Sequence, residues 1–211
     1  MRAFRVVVLA SGNGTNLQAI LDQLHGRPAA VGTPVIEVAG VGSDKAEAGA
    51  LERARSAGVE TAVFAGGDYE SRSARDAALA AWIESRQADL VALAGYMQLL
   101  SPAFVARFPN RVVNVHPALL PSFPGLDAVG QALEYGVQVT GVSVHFVDEG
   151  VDSGPVILQR PVPVPADRDR EALEDEIHRT EHEVYPEAIR MIAEGRVRID
   201  RRNPRLVLID D

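Results

Sequence analysis

Short apolar runs rich in β-branched residues alternate along the chain with longer stretches in which apolar positions recur every three or four residues. The runs predict strands at Phe4 to Ala10, Val35 to Val41, Thr61 to Phe64, Leu90 to Ala94, Val112 to His116, Val139 to Phe146 and Val156 to Val162. The longer stretches predict helices at Asn16 to Leu24, Ala46 to Ala57, Ser71 to Gln87, Pro102 to Phe108, Ala128 to Tyr135 and Arg170 to Glu194. Alternation of this kind builds an α/β, Rossmann-like protein, with a largely parallel twisted sheet and helices on both faces. The later strands lack intervening helices, so the sheet is expected to be mixed in its C-terminal half. The tail, Val197 to Ile209 around "RRNPR", predicts a hairpin, and no internal repeat or low-complexity linker interrupts the chain.

The 211 residues carry 21 Lys+Arg against 29 Asp+Glu, a net charge of -8, which argues against a broad nucleic-acid or anionic-membrane surface. A small anion can still be held by local dipoles. The chain is 46% hydrophobic and 24% charged, ordinary for a globular protein with a sizeable core. It has no cysteine, which excludes disulfides, thiolate nucleophiles and Cys-type zinc sites and fits the cytoplasm. The apolar run near the N-terminus is too short to span a bilayer and no small-residue cleavage pattern follows, so it reads as a first strand.

Within Val112 to His116, Asn114 and His116 share one face while Val113 and Val115 take the other, because side chains of an extended chain alternate. Both polar residues stand near the carboxyl end of a strand, where open α/β sheets bind ligands. Asparagine supplies amide donors and histidine moves protons near neutral pH, although a hydrogen-bonded core pair would use the same residue types. Downstream, "VSVHFVDEGVDSGPV" ends a strand in an acidic loop carrying Asp148, Glu149 and Asp152, which can fold a carboxylate back toward His116. The stretch "LAGYMQLLSP" runs from a strand into an apolar loop that could wall a flat ligand. The run has no obvious serine or cysteine nucleophile. The set therefore suggests acyl transfer to an external nucleophile, with donors stabilising the oxyanion of a tetrahedral intermediate and His plus Asp managing protons.

"VVVLASGNGTNLQAI" is strand, glycine-rich turn and helix. Gly12 and Gly14 permit a sharp turn and a close backbone approach, and the first amides of the helix attract an anion. Leu17 stands where a dinucleotide fingerprint has its third glycine, and the lysine of a Walker loop is missing. A lone phosphate, as in a mononucleotide, fits better than a pyrophosphate; a tight turn with no ligand would use the same glycines.

Six stretches, "SGNGTNLQAI", "LERARSAGV", "LAGYMQLLSPAFV", "NVHPALLPSFPG", "GVSVHFVDEGVDSGPVILQ" and "TEHEVYP", follow the order and spacing of one family over almost the whole chain. The chain resembles the phosphoribosylglycinamide formyltransferases, the folate-dependent transformylases of purine synthesis. The middle motifs are shared with other 10-formyltetrahydrofolate enzymes, and the N-terminal loop and the "TEH" helix narrow the match. The resemblance implies that a formyl group passes from 10-formyltetrahydrofolate, the co-substrate, to the amine of glycinamide ribonucleotide. It implies catalytic roles for Asn114, His116 and Asp152, and ribonucleotide binding by Gly14, Thr15, Asn16, His178 and Glu181. Folate would lie against Arg72, Met97, Gln98, Leu99, Leu100 and Asn114, and against the loop Asp148, Glu149, Gly150, Val151 and Asp152. It also implies one formyltransferase domain over residues 1–211, with a phosphate-binding half at 1–100 and a folate and catalytic half at 101–211. The expected partners are these small molecules, with no nucleic acid and no membrane, and a homodimer is one admissible assembly. Two positions depart from the pattern: Gln98, where some members carry arginine, and Asp127, where a histidine is common.

"HRTEH", His178 to His182, also matches the pattern of an inverted zinc-protease helix. Leu173, Ile177, Val184, Ala188 and Ile192 form one apolar stripe, with Glu181 inside it and the histidines flanking it. A carboxylate on that stripe needs a polar partner, and a substrate hydroxyl or phosphate-loop donor suits it better than a metal with no marked third ligand, so no metal is expected. Besides formyl transfer, two readings stay open. Hydrolysis of 10-formyltetrahydrofolate would share Asn114, His116 and Asp152, but such deformylases carry an extra N-terminal domain, and the first strand here is expected from about Phe4. A zinc hydrolase or non-catalytic nucleotide-binding module would leave "NVHP" and "VDSG" unexplained.

Overall fold

The computed structural model describes residues 2–210 and divides the chain into two compact units, one ending at Val113 and the other beginning at Asn114. In the first, the N-terminal apolar run forms β1 (Phe4–Leu9), whose residues Val6 to Leu9 are completely buried, so no polar residue alternates through them. Then come α1 (Thr15–Leu24), the short β2 (Arg27–Pro28), β3 (Val35–Ser43), α2 (Gly49–Ser56), β4 (Thr61–Val63) and a 3-10 turn at Gly66–Asp68. α3 (Arg72–Ser85), β5 (Leu90–Leu93) and α4 (Pro102–Arg107) complete the unit. The strand order is β2-β3-β1-β5, with β4 on β3. β1 is parallel to β3 and β5 and β3 is parallel to β4, while β2 runs antiparallel to β3.

Strand order reverses at β1: the chain moves outward to β3 and returns on the other side of β1 as β5. The loops after the carboxyl ends of β1 and β5 therefore occupy the switch point at which open α/β sheets hold ligands. They are stitched together at their base, Ser11 N–H donating to Gly95 O at 3.1 Å and Met97 N–H to Ser11 Oγ at 2.8 Å.

The strand β6 (Val112–His116) begins in the first unit and ends in the second. It is followed by α5 (Ala128–Tyr135), β7 (Val139–Phe146), β8 (Val156–Pro163), α6 (Arg170–Ala193), β9 (Val197–Ile199) and β10 (Val207–Ile209). β7 lies beside β6 and pairs antiparallel with β8, which makes this end of a mostly parallel sheet mixed. α6 buries Leu173, Ile177, Val184 and Ala188, and it packs on β7 and β8. The tail is the expected antiparallel hairpin, Val197 opposite Ile209.

Of the boundaries that differ from the pattern-based expectation, three have a clear local cause. α1 starts at Thr15 because Gly14, at φ 74°, is the turning residue before it. α2 starts at Gly49 because Ala48 is still extended, with ψ 126°. β3 runs past Val41 because Gly42 and Ser43 find partners in Ala62 and Val63 of β4. Among the described residues no helix is long and apolar enough to cross a membrane.

Candidate functional site

The glycine turn after β1 is shaped by α2 as well as by its own sequence. A Cβ on Gly14 would stand 2.6 Å from Ala50 Cα, so this position is glycine for packing as well as for its positive φ. Gly12 differs: a Cβ there would meet nothing within 4 Å. Ala50 N–H donates to Gly12 O at 3.1 Å and Arg53 Nε to Asn13 O at 2.7 Å, which pins the turn to α2. α1 then begins at Thr15 and Asn16 with no side-chain cap and no acidic residue in its first turn. By contrast Ser71, Ser101, Asp127 and Asp169 cap α3, α4, α5 and α6. An uncapped helix start keeps the positive end of its dipole available to an anion.

Arg72 opens α3, exposed and with no ion pair among the described residues. In the loop after β5, exposure alternates: Met97 and Leu99 are 62% and 63% exposed, while Gln98 and Leu100 are half-buried. The outward apolar side chains form a wall, and the Gln98 amide turns inward to Arg75 and Asp44. Burial pushes the neighbouring Tyr96 hydroxyl up to about 12 against the opposing pull of Arg75, so it keeps its proton at neutral pH.

The second unit brings Asn114, His116 and Asp152 together. His116, 4% exposed, has Nε2 at 2.8 Å from Phe123 O and Nδ1 at 3.4 Å from Asp152 Oδ2. Both ring nitrogens face acceptors, an arrangement that only the imidazolium satisfies fully. Asp152 Oδ2 also accepts Gly125 N–H at 2.8 Å, and Asn114 Nδ2 reaches Asp152 Oδ1 at 3.4 Å. Burial pushes the Asp152 carboxyl up, but the His145 ring, the Gly125 N–H and the His116 ring together hold it below the usual carboxylate range. Asp152 takes φ 49°, an unusual conformation for a residue with a side chain, at the end of a loop organised by Asp148. Asp148 Oδ1 accepts Gly150 N–H at 3.0 Å and Ser153 Oγ–H at 2.7 Å, leaving Glu149 and Val151 exposed.

His145 belongs to this cluster although the sequence reading gave it no role. Its Nδ1 donates to Phe146 O at 2.9 Å, and its Nε2 lies 3.3 Å from Asn114 Nδ2. The same Nε2 lies 3.6 Å from Asp152 Oδ1. The usable signal was its place: a histidine near the carboxyl end of an otherwise apolar strand, as with His116.

On α6, Glu181 is 6% exposed within the apolar stripe, His178 is exposed and His182 is half-buried. Burial, with the Glu181 charge, pushes the Tyr185 hydroxyl well above its ordinary value. Burial and the neighbouring His178 hold His182 below the ordinary imidazole value. Among the described residues no group of three or more His, Asp or Glu side chains is arranged to hold a metal ion. The Asp127 departure has a local account: it caps α5 through Gly130 N–H at 3.2 Å and pairs with Arg170 at 2.7 Å, tying the start of α5 to that of α6.

The formyl transferase family model matches residues 4–189. The phosphoribosylglycinamide formyltransferase of Escherichia coli (strain K12) is 45% identical over 92% of this chain and 89% of its own length. The trifunctional purine biosynthetic protein adenosine-3 of Drosophila melanogaster is 42% identical over 92% of this chain, which spans 14% of that longer protein. In the crystal structure of glycinamide ribonucleotide transformylase 1 from Symbiobacterium toebii, the matched fold has a TM-score of 0.91 at 51% identity, covering 99% of this chain and 95% of that one. Breadth of this kind, over a polar cluster at a strand end and a glycine turn at a switch point, shows that the chain belongs to the formyl transferase family.

Proposed function

We propose that the chain transfers the formyl group of 10-formyltetrahydrofolate to the amine of glycinamide ribonucleotide, a step of de novo purine (IMP) synthesis. The observation that carries this reading is the meeting of the half-buried Asn114 and Asp152 with the buried His116, an amide donor, a charged carboxylate and a proton carrier. The amine attacks the formyl carbon and a tetrahedral intermediate forms. Asn114 Nδ2 donates to its oxyanion, and the nearby His116 imidazolium stabilises the charge. The amine gives up a proton to Asp152, directly or through water, and the departing N10 gains one from His116, leaving tetrahydrofolate and the formylated amide. His145 holds the Asn114 amide in place.

Gly14, Thr15 and Asn16 hold the ribonucleotide phosphate at the start of α1, with His178 and Glu181 on α6 also serving the ribonucleotide. The folate lies against Arg72, the Met97 to Leu100 segment, Asn114 and the Asp148 to Asp152 loop. On this reading the chain is a single cytoplasmic formyltransferase domain, its co-substrate is the folate, and no step uses a metal. The test is a spectrophotometric assay of 10-formyl folate turnover with and without glycinamide ribonucleotide. Turnover that depends on the amine supports transfer, and equal turnover without it supports hydrolysis and overturns the proposal.

A further inference from the structure

The most deeply buried ion pair of the first unit has no part in the chemistry above. Arg75 and Asp76, in the first turns of α3, are 3% and 2% exposed. Arg75 Nε and Nη2 donate to Asp76 Oδ1 at 3.2 and 2.8 Å, and the remaining reach of the guanidinium goes to the loop after β5. Nη1 donates to Gln98 Oε1 at 2.7 Å and Nη2 to Leu99 O at 3.4 Å. The other oxygen of Asp76 accepts Ser101 N–H at 2.7 Å. Gln98 Nε2 continues the chain to Asp44 Oδ2 at 2.8 Å, and Ser11 Oγ holds Met97 N–H at 2.8 Å. Met97, Gln98, Leu99 and Ser101 are thus each tied from the inside.

A buried ion pair is a poor source of stability, because desolvation offsets much of its attraction. What this pair supplies is direction. A guanidinium offers donors in a fixed plane, and here three different residues occupy them, which the point charge of a lysine cannot reproduce. We propose that Arg75 is a positioning residue for the Met97 to Ser101 segment, with Gln98 as the strut that passes its hold on to Asp44. The strut has a consequence for binding. Both ends of the Gln98 amide are engaged inward, so the segment offers a ligand its backbone and the exposed Met97 and Leu99 side chains. The function assigned to this arrangement rests on the reading that the segment walls the folate. A wall fixed before the ligand arrives spares the ligand the entropy of ordering it.

The test is steady-state kinetics on purified Arg75→Met, Arg75→Lys and Gln98→Met beside the wild type, with circular dichroism to establish folding. Arg75→Met is expected to raise the KM for the 10-formyl folate donor by about tenfold, the scale of one lost charged hydrogen bond, with the ribonucleotide KM unchanged. Arg75→Lys, which keeps the charge without the planar fork, recovers part of that loss. Gln98→Met leaves the Arg75–Asp76 pair in place and moves the same KM in the same direction, so it decides the matter if Arg75→Met does not fold. An unchanged folate KM in a folded variant, or equal rises in both KM values, overturns the proposal. Failure of the underlying reading would look different, as a wild-type protein that transfers no formyl group.

Discussion

Asp152 is held from several sides. Its backbone is held at φ 49°, its side chain lies against two imidazoles, and Gly125 N–H fixes one oxygen at 2.8 Å. Asp152→Asn keeps the shape and removes the charge, and with it the proton acceptor that the proposed mechanism gives the amine. Turnover is expected to fall by roughly 10² to 10⁴, with ribonucleotide affinity nearly unchanged. Asn114→Ala removes the proposed oxyanion donor and is expected to lower turnover by about 10² to 10³. The same substitution at Asp152 gives a stability signature. Because the folded carboxyl titrates below its unfolded value, its contribution is present in full above the ordinary carboxylate range and is lost as pH falls through the lowered folded value. Denaturant unfolding should therefore find wild type more stable than Asp152→Asn at neutral pH, with the gap closing in acid; a gap that widens in acid contradicts the assignment. At this scale the sequence was informative about Asn114 and His116, whose alternation with valines is visible. It was silent about His145, because β7 is buried on both faces from Thr140 to Phe146 and a histidine there does not stand out by pattern.

At the scale of elements, the runs of apolar residues were enough to place every strand that the core needs, and the helices followed from their period. What the pattern could not show was where one element presses on another. β2 is only two residues long and exists because it borders β3, and Gly14 is fixed by Ala50, thirty-odd residues away in sequence. This separates two glycines that look equivalent in "SGNGT". Gly14→Val should disturb the fold itself, through both positive φ and the clash with α2. Gly12→Ala has open space within the protein, so it should leave thermal unfolding unchanged while the added methyl intrudes on a phosphate at the α1 start and raises the ribonucleotide KM. Kinetics and a melting curve on that one variant suffice. An unaltered ribonucleotide KM would take the phosphate away from this turn.

Over the whole molecule, a net charge of -8 and an anionic phosphate substrate have to be reconciled. A local feature does it on the proposed reading: the uncapped start of α1, whose dipole can face the phosphate. The family resemblance was legible because its motifs are contiguous, four of them at strand ends and two, "LERARSAGV" and "TEHEVYP", on α2 and α6. The contacts made by Gln98 and Asp127 were not, because they join residues far apart in sequence. The guanidinium that touches Gln98 comes from Arg75 on α3. The partner of Asp127 is Arg170 at the start of α6. Neither pair follows from periodicity or from a motif.

On the proposed mechanism the formyl carbon moves from folate nitrogen to ribonucleotide amine on the Asn114, His116 and Asp152 cluster. The most direct measurement follows that carbon: 10-formyl folate labelled with ¹³C in the formyl group, incubated with the enzyme and glycinamide ribonucleotide, and observed by NMR. The label is expected to leave the folate only when the amine is present and to be recovered as the formamide of the ribonucleotide, with the reaction all but abolished in Asp152→Asn. Label recovered as free formate at the same rate with and without the amine would contradict it.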